Sequence, residues 1–362
     1  MREVEERKKR LRRVRLSLPK EGALLITCPE NRRYLSGFSS EDVSLTESSG
    51  ALLITRKEAF ILTDPRYQEE AKACGPLFEP RIYRKGLVAE LALLLPLLGV
   101  KTILIEPRYV SVALLQAMEK KLSVKIEMAR PVIERMREVK DAEEVRAIRK
   151  ALSIAEEILS EVAGYIKAGI TERELSARII SMSHEIAHGP SFPPIVASGP
   201  NAAKPHAEPT DKSLKAGEPL IIDMGVKWQG YCSDITRTFF VEKITEKFKY
   251  IYKTVKEAKE AAEQKIKAGI KAQEPDEAAR IVFRREALER LFWHSLGHGV
   301  GLAIHEAPTL SYRSRRKLKA GQVVTVEPGL YLPGWGGVRL EDMVVVTDDG
   351  FTRLNTLGFL EF

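Results

Sequence analysis

Four carboxylates in this 362-residue chain occupy positions that ordinary folding preferences disfavour. Residues 214–240, LKAGEPLIIDMGVKWQGYCSDITRTFF, carry an apolar run ending in Asp223, a Gly-bearing turn over 227–230, and a β-prone run that carries Asp234. This reads as a hairpin. Carboxylates are poor strand residues, and two on neighbouring buried strands repel unless something positive lies between them. A divalent cation is the simplest such charge; the other reading is that both acids are solvated or pair with Arg237. The hairpin alone leaves both readings open.

The pattern has a twin. LKAG occurs at 214–217 and again at 318–321; six positions after each Gly comes an acid, Asp223 and Glu327, and two positions later a Gly. A further acid follows each, Asp234 eleven residues past Asp223 and Glu341 fourteen past Glu327. IKAGI also repeats, at 166–170 and 266–270. Two repeats in the same order, each leading to a pair of acids, indicate a duplicated half. If the halves pack about a pseudo-twofold axis, four carboxylates converge, and two divalent ions balance them in formal charge.

All six histidines lie in the same region. In FWHSLGHGVGLAIHE, residues 292–306, glycines flank His298, so the backbone can approach closely and present the imidazole as a ligand. His294 and His305 flank it as candidate supporting donors or acid–base groups. HEIAH at 184–188 matches HExxH, where two helical imidazoles hold zinc and the Glu acts as base. Gly189 and Pro190 stop that helix at once, and Glu208, a conceivable third ligand, lies between two prolines. HEIAH therefore reads as a helix C-terminus with imidazoles near the last carbonyls, and a zinc peptidase of the HExxH kind is a minor alternative.

The elements that must position these groups form a two-domain α/β (α+β) chain. Apolar runs at 22–26, 50–54, 59–63 and 102–105 read as buried strands, and 87–99 as a buried helix, giving an α/β N-terminal domain over 1–130. PVIERMREVK, 131–140, reads as a linker. Asp141 with Glu144 makes a capping box for a long helix from 142 to about 166, opening a second domain over 141–362. Thr171 with Glu174, and Pro275 at a first helical position, start the helices that follow the two IKAGI motifs.

Composition excludes several classes. At 44% hydrophobic and 30% charged, the chain carries material for a core and no disordered signature. Of the net charge of +8, +6 lies in residues 1–20, where Val4, Leu11, Val14 and Leu16 interrupt the basic run; this reads as the solvated face of a helix, with no nucleic acid expected as partner. The most apolar stretch, 87–100, contains Glu90 and Pro96 and falls short of the ~20 residues a bilayer needs, so no membrane is expected. No secretory pattern and three dispersed cysteines point to the cytoplasm.

Residues 141–362 resemble the pita-bread metallopeptidases, in particular the Xaa-Pro peptidases aminopeptidase P and prolidase. The matching segments are SFPPIVASGPNAAKPHAEPT (191–210), IDMGVKWQGYCSDITRTF (222–239), HSLGHGVGLAIHEAP (294–308) and TVEPGLYLPGWGGVRLEDMVVV (325–346). Softer matches, NRRYLSGF, ESSGALLI and TDPRY, liken the N-terminal part to the family's small creatinase-type domain. The resemblance implies a pseudo-twofold pita-bread catalytic domain with metal ligands at Asp223, Asp234, His298, Glu327 and Glu341. Asp234 and Glu341 would bridge two ions, Asp223 would hold one, and His298 with Glu327 the other.

One imidazole among four carboxylates suits manganese, cobalt, zinc or iron, with manganese favoured. The implied chemistry is hydrolysis of the Xaa-Pro bond in short proline-containing peptides by a metal-bridging hydroxide, with Glu327 handling the proton. His206 and His305 would contact the substrate, and His294 and Arg339 would support the ligands. A homodimer is expected by the same analogy. Ala303 stands where many relatives carry an acid, which bears on the cavity near His305. Other readings are a methionine-aminopeptidase-like activity, metal-free amidinohydrolase chemistry on the same scaffold, and a catalytically silent binding protein.

Overall fold

The computed structural model describes residues 2–362 apart from Glu41 and Val43. The chain divides into two compact units, Met1–Arg137 and Glu138–Phe362.

The first unit is built on a six-stranded mixed sheet in the order Glu79–Ile82, Ala59–Thr63, Ala51–Ile54, Gly22–Ile26, Thr102–Ile105, Lys125–Met128. The four inner strands are the apolar runs expected from sequence. The two edge strands, EPRI and KIEM, carry charges that blunt an exposed edge and hide the strand signal. Helix Arg2–Ser17 turns Lys8, Lys9, Arg12 and Arg13 outward and buries Leu11 and Val14; Arg7 and Arg10, half-buried, donate to Ser36 O and Tyr34 O, and Leu16 is exposed. The helix expected to be buried over 87–99 runs Leu87–Leu97 and is buried on one face only: Leu91, Leu94 and Leu95 are covered, but Leu93 is 68% and Leu97 82% exposed. Within the stretch expected as a linker, Val132–Arg137 is helical. It buries Ile133 and Met136, and Arg137 Nη1 donates to Asn31 Oδ1 at 2.8 Å.

The second unit repeats one plan. Helices Ala142–Ala163 and Glu172–Ile186 precede a three-stranded antiparallel sheet, Ile235–Phe240, Pro219–Met224 and Ile195–Ser198. Helices Glu246–Glu263 and Gln273–Arg285 precede a five-stranded sheet centred on Val323–Val326, which pairs with Asp342–Val346 on one side and Gly297–Gly299 on the other. Both expected capping boxes form, at Asp141 with Glu144 and at Thr171 with Glu174, although the first helix ends three residues early. Pro275 is the third residue of its helix rather than the first; its missing N–H still falls among the donors that lack an intrahelical partner.

The two short repeats meet. Leu214 N donates to Ile170 O at 2.8 Å and Leu318 N to Ile270 O at 2.9 Å; Gly169 N and Gly269 N return bonds to Leu214 O and Leu318 O at 3.0 and 2.9 Å. In both halves the Gly that ends LKAG has a positive φ, 86° and 83°, a conformation that Gly adopts without strain. Each then bonds to the last part of its sheet, Gly217 N to Val241 O and Gly321 N to Val346 O. The repeated words are thus one clamp, used twice, that fixes where each acid-bearing strand begins.

Candidate metal centre and active site

Asp223 lies on strand Pro219–Met224, opposite Thr236 of the antiparallel strand Ile235–Phe240, and Asp234 stands immediately before that second strand. Between them Lys227–Trp228 and Tyr231–Cys232 form a small hairpin, with Gln229 and Gly230 both at positive φ. Glu341 precedes strand Asp342–Val346, and its N–H donates to Thr236 O at 3.2 Å, which joins the two halves at this point. One carboxylate oxygen from each of Asp223, Asp234 and Glu341 lies within 4.8 Å of the others.

Glu327 follows strand Val323–Val326, and His298 is the middle residue of Gly297–Gly299. His298 Nε2 stands 3.3 Å from Glu327 Oε1 and 3.5 Å from Asp234 Oδ2. Its Nδ1 faces Gly299 O at 3.1 Å, so the Nδ1–H tautomer leaves the Nε2 lone pair toward the acids. The strand is pressed against Val323–Val326: a Cβ on Gly297 would clash with Thr325 O. Thr325 Oγ1 accepts from His298 N and donates to Glu327 Oε1, tying ligand candidates on two strands to one hydroxyl.

Arg339 and His294 are brought together through Tyr331. Arg339 Nη2 donates to Asp223 Oδ2, while its Nη1 donates to Tyr331 Oη at 2.8 Å and Pro205 O at 3.1 Å. Tyr331 Oη is also 2.8 Å from His294 Nε2. Tyr331 and Arg339 share one face of the hairpin Gly329–Leu332/Gly336–Arg339, where Tyr331 lies opposite Gly337. Sequence reading passed over Tyr331, and over Thr236, whose Oγ1 donates to Glu341 Oε2 at 2.7 Å. The alternation of that hairpin was the available signal for the tyrosine: two polar residues on an otherwise apolar face, opposite a Gly that leaves room.

A cavity of about 440 Å³ opens onto the acids, walled by Phe192, Ile195 and Ile304 and carrying His206, His294, His298 and His305. The His305 ring packs edge-on against His298 at 4.3 Å between centroids, and His206 is exposed beside the anchored Pro205. The HEIAH histidines are elsewhere. Helix Glu172–Ile186 ends before His188, whose Nδ1 accepts from Gln229 N and whose ring stacks on Trp228. Among the described residues, no group of three potential ligands includes either of these histidines.

Burial raises the pKa of Asp234 and Glu341 well above the usual carboxylate range, and neighbouring carboxylates push in the same direction. Asp223 is raised by burial and partly held back by Arg339. Burial opposes ionisation of Glu327 too, but the contact with His298 and the fields of His294 and Arg339 together outweigh it and lower its pKa to about 2. Two buried oxygens, Asp223 Oδ1 and Glu341 Oε1, have no hydrogen-bond partner. Orphaned carboxylate oxygens turned toward other carboxylates are costly unless a cation completes them, so the residues present fit a hard divalent metal. Arg237, the partner considered for the hairpin acids, instead bonds Asp342 Oδ1 at 2.9 Å.

Residues 146–348 match the metallopeptidase family M24, and residues 10–139 match the creatinase/prolidase N-terminal domain. Among curated relatives, the Xaa-Pro dipeptidase of Pyrococcus horikoshii is 36% identical over 334 residues, covering 92% of each chain. Among solved structures, an Xaa-Pro dipeptidase from Bacillus anthracis superposes with a TM-score of 0.90 at 33% identity over 99% of both chains. An X-Pro aminopeptidase from Thermotoga maritima does so at 0.86 and 34%, over 96% of this chain and 98% of that one. With the catalytic match spanning most of the second unit and the N-terminal match most of the first, this chain belongs to the metallopeptidase family M24.

Proposed function

We propose that this protein is a metal-dependent exopeptidase that hydrolyses the Xaa-Pro bond at the N-terminus of short peptides or in dipeptides, with Asp223, Asp234, His298, Glu327 and Glu341 holding two divalent cations. The observation that carries the reading is the cluster of three buried acids with two unpartnered oxygens. Cations held there would polarise the scissile carbonyl and lower the pKa of water. The substrate's free amine is drawn toward the acids. Glu327 takes the proton of the attacking water and passes it to the proline nitrogen as the C–N bond breaks. That nitrogen carries no hydrogen in the peptide, so the transfer releases it as a neutral secondary amine.

His206 and His305, on the cavity wall, donate to the substrate carbonyl as negative charge develops on its oxygen. His294 and Arg339 act at one remove: through Tyr331 they fix each other, and Arg339 fixes Asp223. Manganese is the working choice of ion on the donor set. A homodimer in the cytoplasm is the working state. Among the described residues no helix is long and apolar enough to cross a membrane.

The test is hydrolysis of a matched panel, an Xaa-Pro dipeptide, an Xaa-Pro-Yaa tripeptide and a Met-Ala-Yaa tripeptide, with chelator and with manganese or cobalt restored. Metal-dependent cleavage of the prolyl substrates is expected. Cleavage confined to the Met-Ala peptide, or indifferent to chelation, would replace this reading. Light scattering on the eluting protein tests the dimer.

A further inference from the structure

A second cavity, of about 630 Å³, adjoins the one over the acids, and His294 and Ser295 line both. Its remaining walls are unlike the first. Trp293 and Tyr312 are each 51% exposed, an uncommon state for two large aromatics flanking one depression. Trp293 is held in place, its indole N–H donating to Arg290 O at 2.8 Å and its ring stacking on Tyr331 at 5.7 Å. Arg280 is fixed between the rings of Phe292 and Tyr312, at 4.5 and 5.1 Å, and donates to Asp276 Oδ2 and His294 O.

The charges are also sorted. The two acids at the rim, Glu277 and Glu289, are both bonded to Arg284. Arg313 is exposed, its guanidinium 5.1 Å from the Tyr312 ring, with no carboxylate in contact among the described residues. The depression therefore presents rigid aromatic surface with an available positive charge, next to a cavity whose floor is acidic.

An exopeptidase that removes one residue has the substrate amine at its closed, acidic end, so everything beyond the proline must leave through an adjoining opening. A space this large exceeds one side chain and suits several residues of extended peptide. Resting on the Xaa-Pro reading above, we propose that this second cavity binds the part of the peptide that follows the proline. Trp293 and Tyr312 stack against side chains and peptide planes there, and Arg313 pairs with a downstream carboxylate. The substrate class that follows is peptides of three or more residues, preferred over the free dipeptide.

The test compares Ala-Pro with the pentapeptide Ala-Pro-Ala-Phe-Asp on the manganese-loaded protein and on Tyr312→Ala and Arg313→Ala. The wild type should favour the pentapeptide, and in each variant the ratio of kcat/KM for pentapeptide over dipeptide should fall about tenfold, through KM, as loss of an interface anchor does. An independent readout is tryptophan fluorescence on adding the pentapeptide to metal-free protein, a response expected in the wild type and lost in Trp293→Phe. Ratios unchanged by both substitutions overturn the proposal. A protein that cleaves neither peptide but keeps the Trp293-dependent response refutes the Xaa-Pro reading and supports the cavity as a peptide site; loss of both overturns both.

Discussion

Glu341 and Asp342 are consecutive, equally buried, and electrostatically opposite. Asp342 accepts from Arg237 at 2.9 Å and from Lys259 at 2.6 Å, and Arg353 Nε stands 3.1 Å away; Lys259 also holds Glu263 at 2.6 Å. Each charge in that group has an opposite in contact. Glu341, one residue earlier, receives a hydroxyl from Thr236, keeps Oε1 without a partner, and faces other acids. The facing strand alternates in step: Thr236 serves Glu341, and Arg237 serves Asp342. Burial is common to both groups. What marks Glu341 is burial without internal compensation, whereas Asp342 beside it sits in a saturated network.

The comparison can be broken experimentally, and the largest effect is expected on the uncompensated side. Asp234→Ala should lower manganese-supported kcat/KM for an Xaa-Pro substrate on the order of 10³-fold or more, since it removes a group that holds several kcal/mol of transition-state stabilisation. Its thermal midpoint measured in chelator should not fall. Asp342→Asn should do the reverse in kind. Stripping the partner from Arg237 and Lys259 is expected to cost about 3–5 kcal/mol, read as a fall in the calorimetric or denaturant midpoint. A variant that unfolds at the wild-type midpoint would mean the network adds no stability.

Between these lies Tyr331→Phe, which keeps the ring and cuts the link from His294 to Arg339. Manganese affinity or kcat should fall about 10- to 100-fold, with the midpoint in chelator nearly unchanged. The smallest effect sharpens the contrast most. Glu341→Gln in chelator should raise stability by about 1 kcal/mol, because it removes a carboxyl whose ionisation is penalised on folding and can keep the Thr236 hydroxyl bond. The rise in midpoint that manganese gives the wild type should shrink in that variant.

Much of this was legible in residue order. The LKAG and IKAGI words exposed the duplication, and they proved to be paired with each other through identical backbone bonds. Three inner strands of the first unit, Gly22–Ile26, Ala51–Ile54 and Ala59–Thr63, were legible because they are covered on both faces and so read as unbroken apolar runs. The edge strands EPRI and KIEM were not, since half their residues answer to solvent. Helix Leu87–Leu97 misled in the other direction. Its composition is apolar apart from Glu90, yet one face stays uncovered, and composition carries no information on what packs where. His184 and His188 matched a motif whose geometry requires a continuing helix, and this helix ends at Ile186.

The sequence by itself determined which groups to look at: acids at fixed distances after a repeated clamp, Asp223, Asp234, Glu327 and Glu341, and a histidine between glycines, His298. These follow from local spacing, and local spacing is written in the chain. Only the tertiary structure decided which buried acids are neutralised by the protein and which are not. Asp342 meets Lys259 from 83 residues away, and Arg339 meets Asp223 across 116. Electrostatic compensation depends on distance in space, and no pattern along the chain gives that distance until the two halves have closed on one another.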